Sequence, residues 1–392
     1  MTPSARRKIC IVVASRANYA RIKSVLKAVK AHPNLQLQLI VSASALLYRF
    51  GSAVDVIRAD GFEPDEILHI ILEGENPTTM AKSTGIAIME MATAFANLRP
   101  DVVLTVADRF ETLATAVAAS YMNITLAHTQ GGEVTGSIDE SVRHAVTKFS
   151  HIHFPATDQS AERLIKLGEN PDYIFRTGCP AIDLLPEIKG KPLPKQFFDD
   201  WHIGGGSGAG ATIDPVKPYL VVMQHPVTTE YGSGLDQINE TLKAVHGSGM
   251  QAVWFWPNVD AGSEDISKGL RVFRENTANH HIRFFRNMPP EEFALLLANC
   301  ACMVGNSSAG LREAAFLGVP SVNIGNRQNG RERGDNVVDA DHDRDQILAC
   351  IRRQVDHGRY ASSHLFGDGH AGARIADVLA ECTPPIQKWL TY

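Results

Sequence analysis

The chain has 392 residues, 44% of them hydrophobic and 21% charged, with 31 Gly and 20 Pro. This profile excludes intrinsic disorder, collagen-like repeats and fibrous architectures, and the length predicts two domains rather than one core. With 38 Lys and Arg against 43 Asp and Glu the formal charge is −5, which leaves no basic excess for a nucleic-acid backbone or an anionic membrane, so any bound anion must meet a local cluster.

In chain order, Arg6, Arg7 and Lys8 precede a short apolar run at 9–13, too brief for a signal-peptide core and expected to be the first strand. Further β-branched apolar runs at 36–41, 102–106, 124–128, 152–155 and 173–177 alternate with amphipathic stretches, the pattern of βα units and a parallel sheet. A break at 184–217 carries Pro186, Pro192, Pro194 and the Gly-rich run 204–210. That run precedes a strand instead of following one, so it reads as a linker and not as a phosphate cradle.

A second series follows at 219–223, 252–256, 282–286, 302–305 and 321–324, and residues 371–390 read as a helix interrupted at Pro384 and Pro385. The expected architecture is α/β, with two doubly wound Rossmann-like domains at 1–185 and 186–370. A helical segment, 371–392, is expected to cross back to the first domain. The six cysteines include one close pair, Cys300 and Cys302, and read as reduced core thiols of a cytoplasmic protein. No segment is long enough to span a bilayer.

Ligands of open α/β sheets sit beyond the carboxyl ends of the strands, and this chain places polar residues there repeatedly. Arg16 follows the first strand, Asp108 and Arg109 follow 102–106, and His128, Gln130 and Glu133 follow 124–128. His225, the run Asn258 to Asp260, and Ser307 with Ser308 follow strands of the second series. Any one of these turns is readily a cap or turn former; their number, aimed from both halves, points to a shared cleft.

At Gly305-Asn-Ser307-Ser308 a strand ends where a helix is expected to begin, an arrangement suited to a diphosphate. Glu313 then falls about one and a half turns inside that helix, placed to accept from ribose hydroxyls. Ser137 and Glu140 fit a capping box for the next helix, with Ile138, Val142, Val146 and Phe149 on its apolar face. Asp139 with Arg143, and Glu140 with His144, are i,i+4 neighbours on that helix. No G-x-G-x-x-G follows the first strand, no P-loop pattern is present, and the fifteen His show no metal-ligand spacing. These absences argue against a dinucleotide oxidoreductase, a P-loop enzyme and a metal centre, and no cofactor is expected.

From about Lys8 to the end of the second domain the sequence resembles the hydrolysing UDP-N-acetylglucosamine 2-epimerases, including the epimerase half of the bifunctional epimerase/kinase. The resemblance rests on Ser15-Arg-Ala-Asn-Tyr19, Asp108-Arg-Phe110, His128 through Gly-Gly-Glu-Val-Thr-Gly to Arg143-His144, Gln224-His-Pro-Val-Thr-Thr229, Pro257-Asn-Val-Asp-Ala-Gly-Ser263, Gly305-Asn-Ser-Ser308 and Asn323-Ile-Gly-Asn-Arg327-Gln. It implies a GT-B-like pair of domains, UDP held mainly on the second, and a homo-oligomer, dimer or tetramer. Carried over by position, Arg16, Arg109, His225, Asn258, Ser307, Ser308, Glu313 and Arg327 match nucleotide- and diphosphate-binding positions. Asp108 and Asp139 match catalytic carboxylates, with His225 and Arg143 beside them.

The chemistry this implies is removal of the C2 proton, expulsion of UDP to leave a 2-acetamidoglucal, and hydration to free N-acetylmannosamine for sialic-acid-like synthesis. One departure stands out: Gln130 occupies a position where many relatives carry a Glu assigned acid/base work, and an amide cannot exchange a proton at neutral pH. Either Glu133 takes that role, or Asp108 and Asp139 suffice. The change is also compatible with a different sugar, such as a 2,4-diacetamido-2,4,6-trideoxy hexose. A non-hydrolysing epimerase, a GT-B glycosyltransferase and a non-catalytic nucleotide-sugar sensor remain open as other readings.

Overall fold

The computed structural model describes residues 6–198, 208–276 and 281–392. In the first half six parallel strands, β1 (Arg7–Val13), β2 (Leu35–Ser42), β3 (Glu66–Leu68), β4 (Val102–Val106), β5 (Thr125–Thr129) and β6 (Ile152–Phe154), form a sheet in the order β3-β2-β1-β4-β5-β6. Both faces are covered, which is why these strands read as continuous apolar runs. Ile9, Ile11 and Val13 of β1 face α1 (Arg16–Ala31) and α2 (Ala53–Ala59), while Cys10 and Val12 face α3 (Pro77–Leu98) and α4 (Phe110–Tyr121). Two further helices, α5 (Asp139–Phe149) and α6 (Asp158–Lys166), complete this half.

The second half repeats the plan with β7 (Ala209–Gly210), β8 (Tyr219–Met223), β9 (Gln251–Phe255), β10 (Ile282–Phe285), β11 (Cys302–Gly305), β12 (Ser321–Ile324) and β13 (Val337–Ala340), ordered β13-β12-β11-β8-β9-β10-β7. All pairs are parallel except β7 on β10. Its helices are α7 (Gly234–Gly247), α8 (Ser263–Asn276), α9 (Pro290–Asn299), α10 (Glu313–Leu317) and α11 (Arg344–His357). Alternate β8 residues again serve two cores, Tyr219 and Val221 on one face and Leu220 and Val222 on the other. In each sheet the strand order reverses at one point, between β1 and β4 and between β8 and β11, and ligands of doubly wound sheets bind at that point. The fold is the expected GT-B-like pair of Rossmann-like domains.

The last helix, α12 (Ala371–Glu381), sends Ile375, Ala376 and Leu379 into the core under β1 and α1. Gly372 lies against the Ser24 backbone, where a Cβ would sit 2.8 Å from the Ser24 carbonyl carbon. The chain beyond α12 is irregular. All six cysteines are free, four of them buried, and no described helix is long and apolar enough to cross a membrane.

Three expectations fail locally. Residues 173–177 form no strand: a 3-10 turn at Pro171–Tyr173 is followed by a single bridge from Ile174 to His153 before the chain leaves the sheet edge. The short strands β3, β7 and β13 go unforeseen, because two to four residues at an edge carry too little pattern to register. Of the Gly-rich run, residues 204–207 lie outside the described residues, while Ala209 and Gly210 pair with β10 instead of serving as free linker.

Candidate active site

The carboxyl ends of β1, β4 and β5 face those of β8, β11 and β12 across a cleft. Ser15 caps α1, its Oγ accepting from the Asn18 amide at 3.2 Å, and the turn throws Arg16 across the cleft. There Arg16 donates to Asn258 Oδ1 at 3.3 Å, to the Trp256 carbonyl at 2.5 Å and to the Arg286 carbonyl. Burial pushes its guanidinium down to about 10. Arg21, one turn further along α1, donates to Ser308 Oγ at 2.6 Å and to Gln130 Oε1 at 3.3 Å. Among the described residues neither arginine pairs with a carboxylate, so two partly buried cations stand free to meet an anion.

Both line the cleft between the two halves. Met223, Phe255, Met288 and Phe293 form its apolar wall, and His225, Asn258, Ser307, Ser308, Glu313 and Arg327 its polar one. The His225 amide donates to Asn306 Oδ1 at 2.7 Å, and its Nδ1 accepts from the Asn258 amide at 3.3 Å. Burial and the surrounding Arg327, Arg16, Arg109 and Arg21 hold the ring well below its ordinary pKa. His225 is therefore neutral, with its proton on Nε2.

The expected helix at Ser307 does not form. A 3-10 turn, Ser308–Gly310, intervenes and α10 starts only at Glu313; the chain is held there by i→i+3 bonds from the Gly310 amide to the Ser307 carbonyl and from the Leu311 amide to the Ser308 carbonyl, and Gly310 is a poor helix former. Glu313 thus opens a five-residue helix, and its Oε2 is buried without a partner. The anion-binding capacity of this turn rests on hydroxyls and arginines, with little helix dipole behind it.

Beside the cleft lies a carboxylate cluster. Asp108 follows Ala107, whose φ is +62°; His128, pushed down to about 4 by burial, braces that turn by donating from Nε2 to the Ala107 carbonyl at 2.6 Å. The Asp108 carboxylate contacts Arg143 and lies 3.4 Å from Arg331. Glu133 contacts Arg312 with one oxygen, while Oε1 has no partner. Arg109 reaches across the cleft to Asp260 at 2.7 Å and back to Glu111 at 3.1 Å. Asp139 stands at the start of α5, 4.0 Å from Arg327, and burial raises its pKa.

Gln130 sits at φ +63°, a conformation costly for a residue with a Cβ. Its Oε1 accepts from Arg312 at 3.0 Å as well as from Arg21, and its Nε2 donates to Cys179 Sγ at 3.2 Å. The amide is thus spoken for on both sides.

Two helix-level expectations are corrected. Ser137 and Glu140 make no capping box: Ile138, with helical φ, is the cap and 44% exposed, Glu140 Oε2 accepts from the Thr135 amide at 2.7 Å, and Ser137 Oγ accepts from the Asp139 amide at 3.4 Å. Asp139 does not pair with Arg143, which turns inward to Asp108, Glu140 and the Glu133 carbonyl; tertiary partners outcompete the i,i+4 neighbour. Glu140 and His144 do meet, at 2.9 Å. Sequence reading passed over Arg21, Arg312, Arg331, Glu111 and Cys179. The available signals were faint: Arg312 immediately precedes Glu313, Glu111 falls two residues after Arg109, and Arg331 falls four residues after Arg327. No group of three or more His, Cys, Asp or Glu among the described residues could hold a metal ion.

Residues 27–380 match the family model described as UDP-N-acetylglucosamine 2-epimerase. The chain is 35% identical over 373 residues to the UDP-N,N'-diacetylbacillosamine 2-epimerase (hydrolyzing) of Legionella pneumophila, covering 95% of each chain. It is 30% identical over 378 residues to the UDP-N-acetylglucosamine 2-epimerase of Neisseria meningitidis, again covering 95% of each. Among solved structures, the Neisseria meningitidis UDP-GlcNAc 2-epimerase bound to UDP-GlcNAc superposes with a TM-score of 0.76 at 17% identity, covering 96% of this chain and all of the other. With a family match spanning most of its length, this chain belongs to the UDP-N-acetylglucosamine 2-epimerase family.

Proposed function

We propose that the protein is a hydrolysing 2-epimerase of a UDP-linked 2-acetamido sugar. The observation that carries this reading is the pair of partly buried arginines without carboxylate partners, Arg16 and Arg21, lining a cleft whose Arg327 stands 4.0 Å from the half-buried Asp139 carboxyl. The cations suit a diphosphate leaving group; the carboxyl suits proton transfer at C2.

In the reaction a carboxylate takes the C2 proton, the electrons of that bond form the C1–C2 double bond, and the C1–O electrons depart with UDP. Water then adds across the glycal, its hydroxyl to C1 and a proton to C2 from the opposite face, releasing the free 2-epimeric sugar. Asp139 is one proton carrier, with Arg327 close enough to feel its charge. Asp108, gripped by Arg143 and Arg331, fixes the cluster. Glu133, with one buried oxygen uncommitted, is the second proton carrier in place of Gln130, whose amide only orients. Neutral His225 donates from Nε2 toward the diphosphate beside Ser307, Ser308 and Arg327, while Glu313 holds the ribose. The interdomain contacts of Arg109 and Arg312 shut water out until UDP has left.

Two sugars fit this chemistry. The more similar of the two relatives is named for the diacetamido sugar, which supports a 2,4-diacetamido-2,4,6-trideoxy hexose; UDP-N-acetylglucosamine, giving N-acetylmannosamine, is the second reading, supported by the Neisseria relative. Proton NMR in D2O with each UDP-sugar separately decides between them: UDP and a free sugar deuterated at C2 appear with the true substrate. Asp139→Asn abolishes turnover while UDP still binds. Tight UDP binding without release of either sugar would overturn the reading.

A further inference from the structure

The segment after α12 returns to the helix that carries Asp139 and Arg143. Lys388 Nζ is inserted at the carboxyl end of α5, donating to the carbonyls of Thr147 at 3.1 Å, Lys148 at 3.0 Å and Ser150, and to Glu169 Oε2 at 2.7 Å. An ammonium has three donors, so every one is engaged and at least one is shared. These carbonyls lie in the last turn, where i→i+4 partners run out and Thr147 keeps only the Ser150 amide, and a cation there also meets the negative end of the helix dipole. Glu169, 2% exposed, is itself held by Lys148 at 2.8 Å and His153 at 3.0 Å.

Three further polar anchors fix the segment. His151 Nδ1 accepts from the Leu126 amide, so its Nε2 donates to the Ile386 carbonyl at 3.0 Å. The Thr391 amide donates to the Gly168 carbonyl and its Oγ1 to the Glu169 carbonyl, both at 3.3 Å. Apolar burial contributes little: Trp389 is 77%, Leu390 57% and Tyr392 87% exposed. The segment is clamped by the half-buried Lys388 ammonium rather than packed as core.

Arg143 docks the first half of α5 against Asp108, and Lys388 docks its other end, roughly 6–10 Å further along the helix axis. We propose that Lys388 is a positioning residue for Asp139: by holding the carboxyl end of α5 it sets the axial placement of the helix, and so where the Asp139 carboxyl stands relative to the sugar. The inference rests on the catalytic reading of Asp139 given above. Its direct content, that Lys388 holds α5, is open to measurement without turnover.

The test compares Lys388→Met and Lys388→Arg in the full chain. It follows kcat and KM for the UDP-sugar, UDP affinity by calorimetry, and amide hydrogen exchange in α5. A small displacement of a catalytic group costs up to about a hundredfold in rate. Lys388→Met is expected to lower kcat by at least about tenfold, with KM and UDP affinity within about twofold and faster exchange at 144–149. Lys388→Arg, which keeps cation and donors, is expected to restore most of kcat and of the protection. Unchanged kcat in Lys388→Met, a parallel loss of kcat and UDP affinity, or no rescue by Arg would overturn the proposal. If the wild-type protein turned over neither UDP-sugar, the catalytic reading would fall by itself, and unchanged α5 exchange in Lys388→Met would separately refute the clamp. Should Lys388→Met not fold, Lys388→Gln is judged by the same criteria.

Discussion

Removal of Arg312 tests how the two halves are held around the carboxylate cluster. Its side chain is 2% exposed and contacts Glu133, 6% exposed, across the cleft, while another of its nitrogens donates to Gln130 Oε1 at 3.0 Å. Arg312→Met leaves the Glu133 carboxylate buried with only Arg331, 4.0 Å away, as a cation. Breaking a buried pair costs about 3–5 kcal/mol, and the residual attraction to Arg331 places this case near 3 kcal/mol. For a protein of this size that corresponds to a fall in Tm of roughly 4 °C.

The double variant Arg312→Met/Glu133→Leu removes the stranded charge together with its partner and is expected to recover at least about 2 kcal/mol of that loss. Calorimetry and urea unfolding of wild type, both single variants and the double variant complete the cycle. The reasoning is refuted if Arg312→Met lies within about 1 kcal/mol of wild type, or if the double variant is no more stable than Arg312→Met, since either result means that no buried charge was left unpaired.

Arg21→Met removes one of the two cations that lack a carboxylate, so UDP affinity measured by calorimetry falls about 30- to 150-fold, the worth of a charge-assisted contact of about 2–3 kcal/mol. Gln130→Glu sets a carboxylate between Arg21 and Arg312; Tm rises without ligand, while UDP binds roughly tenfold more weakly because Arg21 is already neutralised. Glu169 is pushed up by burial, but His153, Lys388 and Lys148 outweigh that and hold it down to about 2, against 4.5 for an ordinary Glu. Between those values the unfolded chain binds the proton and the folded protein does not. The stability that Glu169 supplies is therefore complete above about pH 4.5 and lost as pH falls toward 2, of the order of 3 kcal/mol. Acid unfolding of Glu169→Gln, followed by circular dichroism, shows a shallower dependence across that window.

The strands were legible wherever burial on both sides left an apolar run: those of β4, β8, β11 and β12 match the expected limits residue for residue. So were the turns after them, because a strand end in a doubly wound sheet must face the cleft.

Tertiary structure alone decided the partners. Arg143 meets Asp108 at 35 residues' distance in place of its helical neighbour Asp139, and Arg312 meets Glu133 across 179 residues. Such choices depend on which charges are brought together without water, where an unpaired ion is costly and a tertiary partner outweighs a helical neighbour. The same holds at Ser307, where a tight 3-10 turn stands in place of an expected helix, and at Lys388, an ordinary surface-type lysine in the sequence. Periodicity records which side of an element is buried; it carries no record of which distant groups meet there.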